Sequence, residues 1–363
     1  MPMPGTSAND EAGCFLRSNT AEGCVTHLLS LRPADAGWRC VLLKSGHGGA
    51  AAALLEALCQ LALQTDSPAE SFWDAPGRER RCAVRLPARK LCVLDAEVPY
   101  ALEAKLPGGG EEVLSLDDCR DNALLRAQCK ELTRLHAAWL RELTRAARFI
   151  KAARAIKRDM AFVASESLDL AKVERFASRF ALRHFLPPNG RIGHETRRFL
   201  TTITGQGLLL RRSSLEAAYA DTVVLEDEYG ATAPALWNLV RGYALGNGLN
   251  VISCPCSLFP AETPEHLLIP ALKLCCVTSN RRHPIHFENA RHMQASRFLQ
   301  KEALRAHRGR LRFCQRTMRE LLAEAYAAQA AAAQVKAGMD QIYAQALRPG
   351  AVERLAAKLY EWQ

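Results

Sequence analysis

The chain has 363 residues, of which 48% are hydrophobic and 24% charged, and its formal net charge is +10 with a pI near 9.1. This composition is typical of a soluble globular protein, and the length predicts two domains that each bury a core. No apolar run approaches the roughly 18 residues of a transmembrane helix, so no membrane partner is expected.

The cysteines indicate a reducing compartment. There are 13, an odd number without framework spacing, and several stand in apolar runs where cysteine behaves as a small hydrophobe. The segment Met1–Asn9 is rich in Pro, Gly and Ser and lacks the apolar core of a signal peptide. We therefore expect a cytoplasmic protein.

The first elements in chain order predict an α/β layer. Arg39–Lys44 and Leu91–Leu94 are short continuous apolar runs, which are typical of buried strands. Between them, Ala50–Leu63 is rich in Ala and Leu and predicts a helix. Buried strands joined by a helix indicate a parallel sheet.

A long helical arm is predicted after this layer. The segment 117–160 contains neither Pro nor Gly, and its apolar residues recur at spacings of three, four and seven. A second arm is expected from about Asn289 to Ala346, with interruptions near Gly309 and Gly338.

The second half of the chain repeats the first. Five collinear segments match between the halves at offsets between 179 and 184 residues. The breaker cluster Leu186–Gly190 precedes the second copy and is the natural linker. We expect domains at 1–190 and 191–363, each an α/β unit followed by its arm.

The segment after the first predicted strand has features of a phosphate-binding loop. Backbone N–H groups of a Gly-rich turn at a helix N-terminus bind phosphate, and a following Lys and Ser/Thr supply charge and the Mg²⁺ ligand. Here Ala51 and Ala52 stand at those last two positions. The candidate nucleotide-binding residues are Lys44, Gly46, His47, Gly48, Gly49 and, at the end of the next strand, Asp95.

The second copy has lost more of these features. Its loop residues are Gly230, Ala231 and Thr232, preceded by the acidic run Glu226–Glu228 and followed by Ala233-Pro234. We expect the three carboxylates to lie where polyphosphate would bind and to repel it. Thr278 replaces the strand-end acid, which indicates a loop that no longer binds nucleotide.

The two-unit layout, the Gly loops, the strand ending in Asp95 and the arms together resemble a little-characterised family of bacterial tandem P-loop ATP-binding, ATPase-like proteins. The resemblance covers roughly residues 14–358. It implies two P-loop NTPase-like units, with Ala51 and Ala233 at the lysine positions, Asp95 at the Walker B position and Cys256-Ser257 at the family's Cys-Ser pair. ATP is the implied cofactor, with Mg²⁺ only if ATP binds.

The leading functional hypothesis is a pseudo-ATPase that binds nucleotide weakly or not at all in the first unit and acts as a scaffold or regulator with a protein partner. No catalytic residue and no metal site is assigned. One alternative is an active ATPase with a non-standard lysine, such as Lys44. Another is a nucleic-acid-associated protein that uses basic helices, because Arg281–Arg319 holds eleven basic and two acidic residues and a second basic series follows the first arm over 141–158.

Three simpler interpretations stay open. Gly46–Gly49 is also compatible with a plain strand-to-helix turn, and Asp95 with a strand-end cap. The basic segments are equally compatible with solvated helix faces. Cys254-Pro255-Cys256 and the histidines of the basic segment lack the spacing of a metal site.

Overall fold

The computed structural model describes residue 11 and residues 13–32, 37–74, 80–187 and 190–361. The segment Met1–Asn9 and the middle of the expected linker, residues 188–189, lie outside the described residues. The fold is mixed α/β, with two larger sheets and two short hairpins among the described strands.

The first half begins with a hairpin and continues into an α/β layer and helices. Its elements are β1 (Arg17–Thr20), β2 (Gly23–Thr26), β3 (Arg39–Lys44), α1 (Ala50–Gln64), β4 (Glu70–Trp73), β5 (Arg81–Leu86), β6 (Leu91–Asp95), β7 (Glu111–Ser115), α2 (Asn122–Ala127), α3 (Cys129–Ser165) and α4 (Leu170–His184). The strand order in its sheet is β4-β5-β6-β3-β7.

This sheet is mixed, which corrects the expected parallel sheet. Strands β6 and β7 lie on either side of β3 and parallel to it. However, β5 pairs antiparallel with β6, and β4 pairs antiparallel with β5. The short turn at Pro87–Arg89 reverses the chain between β5 and β6 and permits only antiparallel pairing.

The second half repeats this order of elements. They are β8 (Glu195–Arg197), β9 (Thr201–Thr204), β10 (Gly207–Leu210), α5 (Arg212–Ala218), β11 (Asp221–Glu226), α6 (Thr232–Gly246), β12 (Val251–Pro255), β13 (Pro264–Ile269), β14 (Leu274–Ser279), β15 (Arg291–Gln294), α7 (Lys301–Ala306), α8 (Arg308–Gln345) and α9 (Ala351–Glu361). The sheet order is β15-β11-β14-β13-β12-β8, so it matches the first sheet with β8 added at one edge.

The two arms form an antiparallel helix pair. Arg145 of α3 bonds to Glu324 of α8, and Asp159 further along α3 bonds to Arg310, which is earlier in α8. Helix α8 starts only at Arg308, because residues from Asn289 to that point form β15 and α7 instead of the expected helix. It also runs without interruption through Gly309 and Gly338, because packing against α3 stabilises the helix more than these glycines weaken it.

The terminal helices are exchanged between the halves. Helix α9 packs on α1 of the first half, with Leu359 and Tyr360 buried in that core. Helix α4 packs on α6 of the second half, with Val173 and Phe180 buried there. Each buried side chain of this size stabilises the fold by about 1.5–3 kcal/mol, so each core depends on both halves of the chain.

None of the helices in the described part of the chain is long and apolar enough to cross a membrane.

Candidate functional site

The first loop, between β3 and α1, adopts a conformation that requires glycine. Gly48 and Gly49 have φ values of 67° and 82°. A Cβ atom on Gly48 would lie 2.7 Å from the backbone nitrogen of Ala344 in α8. Gly48 is therefore needed both for its backbone angle and for the close approach of the other half's arm.

Two carboxylates of the protein bind the N–H groups of this loop. The Gly46 N–H donates to Glu97 Oε2 at 3.1 Å, and the Gly48 N–H donates to Asp340 Oδ1 at 2.9 Å. Glu97 follows β6, whereas Asp340 comes from α8. Carboxylate oxygens here occupy positions at which a phosphate-binding loop would hold phosphate oxygens.

A lysine from the other half lies beside this loop. Lys336 in α8 forms an ion pair with Asp340, and Arg80 lies 3.7 Å from the same carboxylate. Burial raises the pKa of Asp340, but the Lys336 ammonium and the Gly48 N–H outweigh it, so the pKa stays below its ordinary value. The predicted Lys44 instead pairs with Glu103 at 2.8 Å, away from the cavity described below.

His47 and Arg120 fix the loop from two sides. The His47 ring stacks on Tyr343 of α8, with centroids 4.7 Å apart. Burial lowers the pKa of His47, and Lys336 contributes in the same direction. The fully buried Arg120 donates to the carbonyl oxygens of Ser45 and His47. The loop is therefore held by interactions that the fold itself supplies.

Asp95 is bound to a buried arginine. Arg17 Nη1 lies 3.2 Å from Asp95 Oδ2 and 3.2 Å from Asp74 Oδ2. Burial lowers the pKa of Arg17, but these two carboxylates outweigh it and raise the pKa above its ordinary value. The guanidinium therefore stays charged and neutralises the acid that resembles a Walker B carboxylate.

The residues around the first loop do not fit a magnesium ion. The hydroxyl that would bind it is absent at Ala52, and the Asp95 carboxylate is occupied by Arg17. Across the described ranges, no group of three or more His, Cys, Asp or Glu residues could hold a metal ion.

A cavity of about 500 Å³ opens beside the first loop. Both halves line it, because α3 supplies Trp139, the β9–β10 turn supplies Gln206 and α8 supplies Lys336. Gly46, His47 and Gly49 of the predicted set face it, together with Asp95. The volume lies within the ordinary range for small-molecule sites.

The second loop is filled by its own carboxylate. The Asp227 side chain is buried and accepts N–H bonds from Gly230 at 3.0 Å, Thr232 at 2.8 Å and Ala233 at 2.8 Å. Burial raises the pKa of Asp227, and these backbone donors oppose the rise. The N–H groups that would bind phosphate are used inside the loop.

The acidic run of the second loop does not lie together, which corrects the expectation of three carboxylates at one site. Only Asp227 turns into the loop. Glu226 lies 3.2 Å from His292, and Glu228 accepts a bond from Gln315 at 2.8 Å. Alternation along the end of a strand sends successive side chains to different sides.

A lysine of the first half lies over the second loop, as Lys336 lies over the first. Lys157 of α3 is 2.6 Å from Glu265 Oε1 and 3.1 Å from the Cys256 sulfur. Lys157 and Lys336 occupy equivalent positions in the duplicated sequence. The sequence alone shows that the two lysines are equivalent. The position of each lysine over the opposite loop was not predicted, because it depends on the antiparallel pairing of α3 and α8.

The remaining candidates have structural partners. Thr278, the counterpart of Asp95, accepts a bond from the Trp237 indole at 2.9 Å. Ser257 donates to the Thr201 carbonyl at 3.0 Å, and Cys254 is fully buried. These contacts position β12 and β14 in the core.

The site combines a Gly-rich turn and a cavity with cations and carboxylates from both halves, next to aromatic side chains. Comparison with protein-family models, curated proteins and solved structures gives no match to this chain.

Proposed function

We propose that the protein is a nucleotide-binding, non-hydrolysing relative of the tandem P-loop proteins that its sequence resembles. In this proposal the first loop binds the nucleotide and the second loop is structural. The observation that carries it is the contrast between the loops. The first opens into a cavity that Lys336 also lines, and its N–H groups are bound by carboxylates from outside the loop. The second has its N–H groups bound to Asp227 of the loop itself.

The first cavity carries aromatic and cationic groups that suit a nucleotide, beside four carboxylates. Trp139 and Tyr100 provide aromatic surface for a base, and Lys336 and Arg80 provide positive charge for phosphate. Lys336 would take the role of the lysine that is missing at Ala51. Ala51 lies at the cavity, but an alanine offers no charge to a phosphate.

Hydrolysis is not expected at this site. Phosphoryl transfer in P-loop enzymes depends on a metal ion held by a hydroxyl and a supporting acid. Ala52 supplies no hydroxyl, and Arg17 already binds Asp95. A nucleotide bound here would therefore be held by side-chain cations and backbone N–H groups and released unchanged.

Nucleotide binding would act on the helical arms. A phosphate at the Gly48 N–H must displace the Asp340 carboxylate, which belongs to α8. The released Asp340 would leave Lys336 free to contact the phosphate instead. Occupancy of the site would thus change the contact between the first loop and the arm of the second half, which suits a regulator or scaffold with a protein partner.

One observation favours a second candidate, an active ATPase with a lysine from elsewhere in the chain. Lys336 stands beside the loop, whereas the previously expected Lys44 is paired with Glu103. This candidate requires turnover that is lost in Lys336→Ala.

The test compares two equivalent lysines. Isothermal calorimetry with ATP on Lys336→Ala should show at least tenfold weaker binding than the wild type, because the phosphate loses its cation. Lys157→Ala, at the second loop, is the matched control and should bind as the wild type does, with a melting curve confirming that it is folded. A phosphate-release assay should show no turnover for any of the three.

Other results would contradict the proposal. Equal loss of affinity in both variants, or no ATP binding by the wild type, contradicts a nucleotide site at the first loop. Phosphate release that depends on Lys336 supports the active ATPase in place of the proposal.

A further inference from the structure

Four arginines form an exposed row along α8. Arg308, Arg312, Arg316 and Arg319 are spaced by four, four and three residues, which places them on one face of the helix. All four are exposed, and none makes an ion pair or side-chain hydrogen bond with a described residue. We call these four residues the arginine row.

The basic series of α3 differs, because its charges are largely neutralised. Arg145 pairs with Glu324, Arg154 lies 3.2 Å from Glu22, and Arg158 pairs with Glu262. Among the described residues, the arginine row is therefore a longer run of unpaired positive charge than Arg148 and Lys151, which remain in the α3 series.

The duplicated arm shows that packing does not require these arginines. At the equivalent positions of α3, the side chains are uncharged: Cys129, Thr133, Ala137 and Leu140. By contrast, the packing positions are apolar in both copies, as with Trp139 in α3 and Met318 in α8, both buried. The equivalent helix α3 thus folds without such a row of arginines.

We propose that the arginine row binds the phosphate backbone of a double-stranded nucleic acid. Arg308 and Arg319 are 11 positions apart, or about 16 Å of helix at 1.5 Å per residue. One strand of a duplex presents a phosphate about every 3.4 Å along its axis, so four cations can face one strand over this length. The contacts are to phosphates and carry no sequence preference.

The apolar pattern disfavours a membrane surface as the occupant. A helix that lies on a bilayer exposes a continuous apolar face beside its charges. Here the apolar face of α8, including Leu311, Cys314 and Met318, is buried in the core that α3 and α8 share. Beside the row, the exposed large hydrophobic side chain of α8 is Phe313.

The test measures binding of the full-length protein to a fluorescein-labelled duplex of about 20 base pairs by anisotropy, between about 50 and 200 mM salt. The triple variant Arg312→Gln, Arg316→Gln, Arg319→Gln should bind at least tenfold more weakly at the low-salt end. The slope of log K against log salt should fall by about 0.9 for each arginine removed.

A charge-matched control separates the row from the general basicity of the chain. Lys105→Gln, Lys130→Gln and Lys358→Gln together remove three exposed lysines at the opposite end of the arms and should change duplex affinity less than twofold. The residues of both triple variants are exposed, so melting temperatures should match the wild type.

Several results overturn the proposal: no duplex binding by the wild type, equal weakening in the control, or an unchanged salt slope in the arginine variant. Equally tight, row-dependent binding to polyglutamate of matched charge, or to phosphatidylserine vesicles in place of duplex, also contradicts it. The wild type would then recognise an acidic protein or a membrane surface instead.

Discussion

The Gly48 N–H of the first loop donates a hydrogen bond to the carboxylate of Asp340 at 2.9 Å, although the two residues are 292 positions apart in the chain. This contact joins the Gly-rich turn of one half to the helical arm of the other. It also places a negative charge at the position that we propose for a phosphate.

Removal of this charge should strengthen nucleotide binding. In Asp340→Asn, the phosphate no longer competes with a carboxylate for the Gly48 N–H, and Lys336 loses its partner. We expect ATP affinity to rise about tenfold, or about 1.4 kcal/mol, measured by calorimetry. Glu324→Gln, an exposed carboxylate on the same helix, is the control and should leave affinity unchanged. Weaker binding in Asp340→Asn would mean that this carboxylate is not a competitor.

The second loop should depend on Asp227 for stability. Asp227→Ala leaves several buried backbone N–H groups without their acceptor, so the free energy of unfolding should fall by about 3 kcal/mol in urea denaturation. The matched control is Ser45→Ala, at the equivalent position of the first loop, which should cost less than about 1 kcal/mol. Similar losses in both variants would contradict the assignment of Asp227 as the internal ligand of its loop.

Because α4 and α9 each pack in the core of the opposite half, a substitution in either helix should destabilise that opposite half. Leu359→Ala removes a buried side chain of α9 from the first core and should lower stability by about 2–5 kcal/mol. Hydrogen exchange should then increase in α1 more than in α6. Phe180→Ala, at the equivalent position of α4, should give the reverse pattern. If hydrogen exchange increased only in the half that carries each substitution, the packing of α4 and α9 on the opposite halves would be ruled out.

Acid should destabilise the protein through a buried histidine. Burial lowers the pKa of His266 from 6.5 to about 4, against an opposing effect of Glu265 and with smaller contributions from His283 and Lys157. Because the unfolded chain takes up this proton below pH 6.5 and the folded protein only near pH 4, stability is lost as pH falls through that window.

The difference amounts to about 3 kcal/mol at pH 4. His266→Asn keeps an acceptor for the Thr278 N–H, which bonds the histidine at 3.0 Å, and should remove that part of the pH dependence. The measurement is urea unfolding at pH 7, 5.5 and 4. An unchanged slope in the variant would show that other groups cause the acid sensitivity.

The sequence predicted the local elements well where one periodicity dominated. Strand β3 and helix α1 lie where the apolar patterns of residues 39–44 and 50–63 indicated, with α1 one residue longer. The mixed sheets were missed because the run Arg81–Leu86 contains two arginines and resembles no buried strand, although it lies second in its sheet. Its Arg85 remains compatible with this position through a salt bridge to Glu70.

The sequence indicated only some of the residues of the candidate site. Gly46, His47, Gly49 and Asp95 lie together at the cavity because they follow neighbouring parallel strands, and their binding of nucleotide stays a prediction. Lys336 and Asp340 could not be assigned, since their place depends on how two long helices pair. The apolar faces of α4 and α9 are alike, and only the antiparallel arms decide which helix, α1 or α6, each one packs against.

We propose that the chain's own charged groups take the places of the phosphate and metal ion of a P-loop, with the Arg17 guanidinium bound to Asp95 where a metal ion would be. The most direct test is calorimetry of ATP binding to the wild-type protein in excess Mg²⁺ and again in EDTA. We expect ATP to bind under both conditions, with affinities that agree within about twofold, or about 0.4 kcal/mol. Binding that appears only with Mg²⁺, or no binding under either condition, would contradict it.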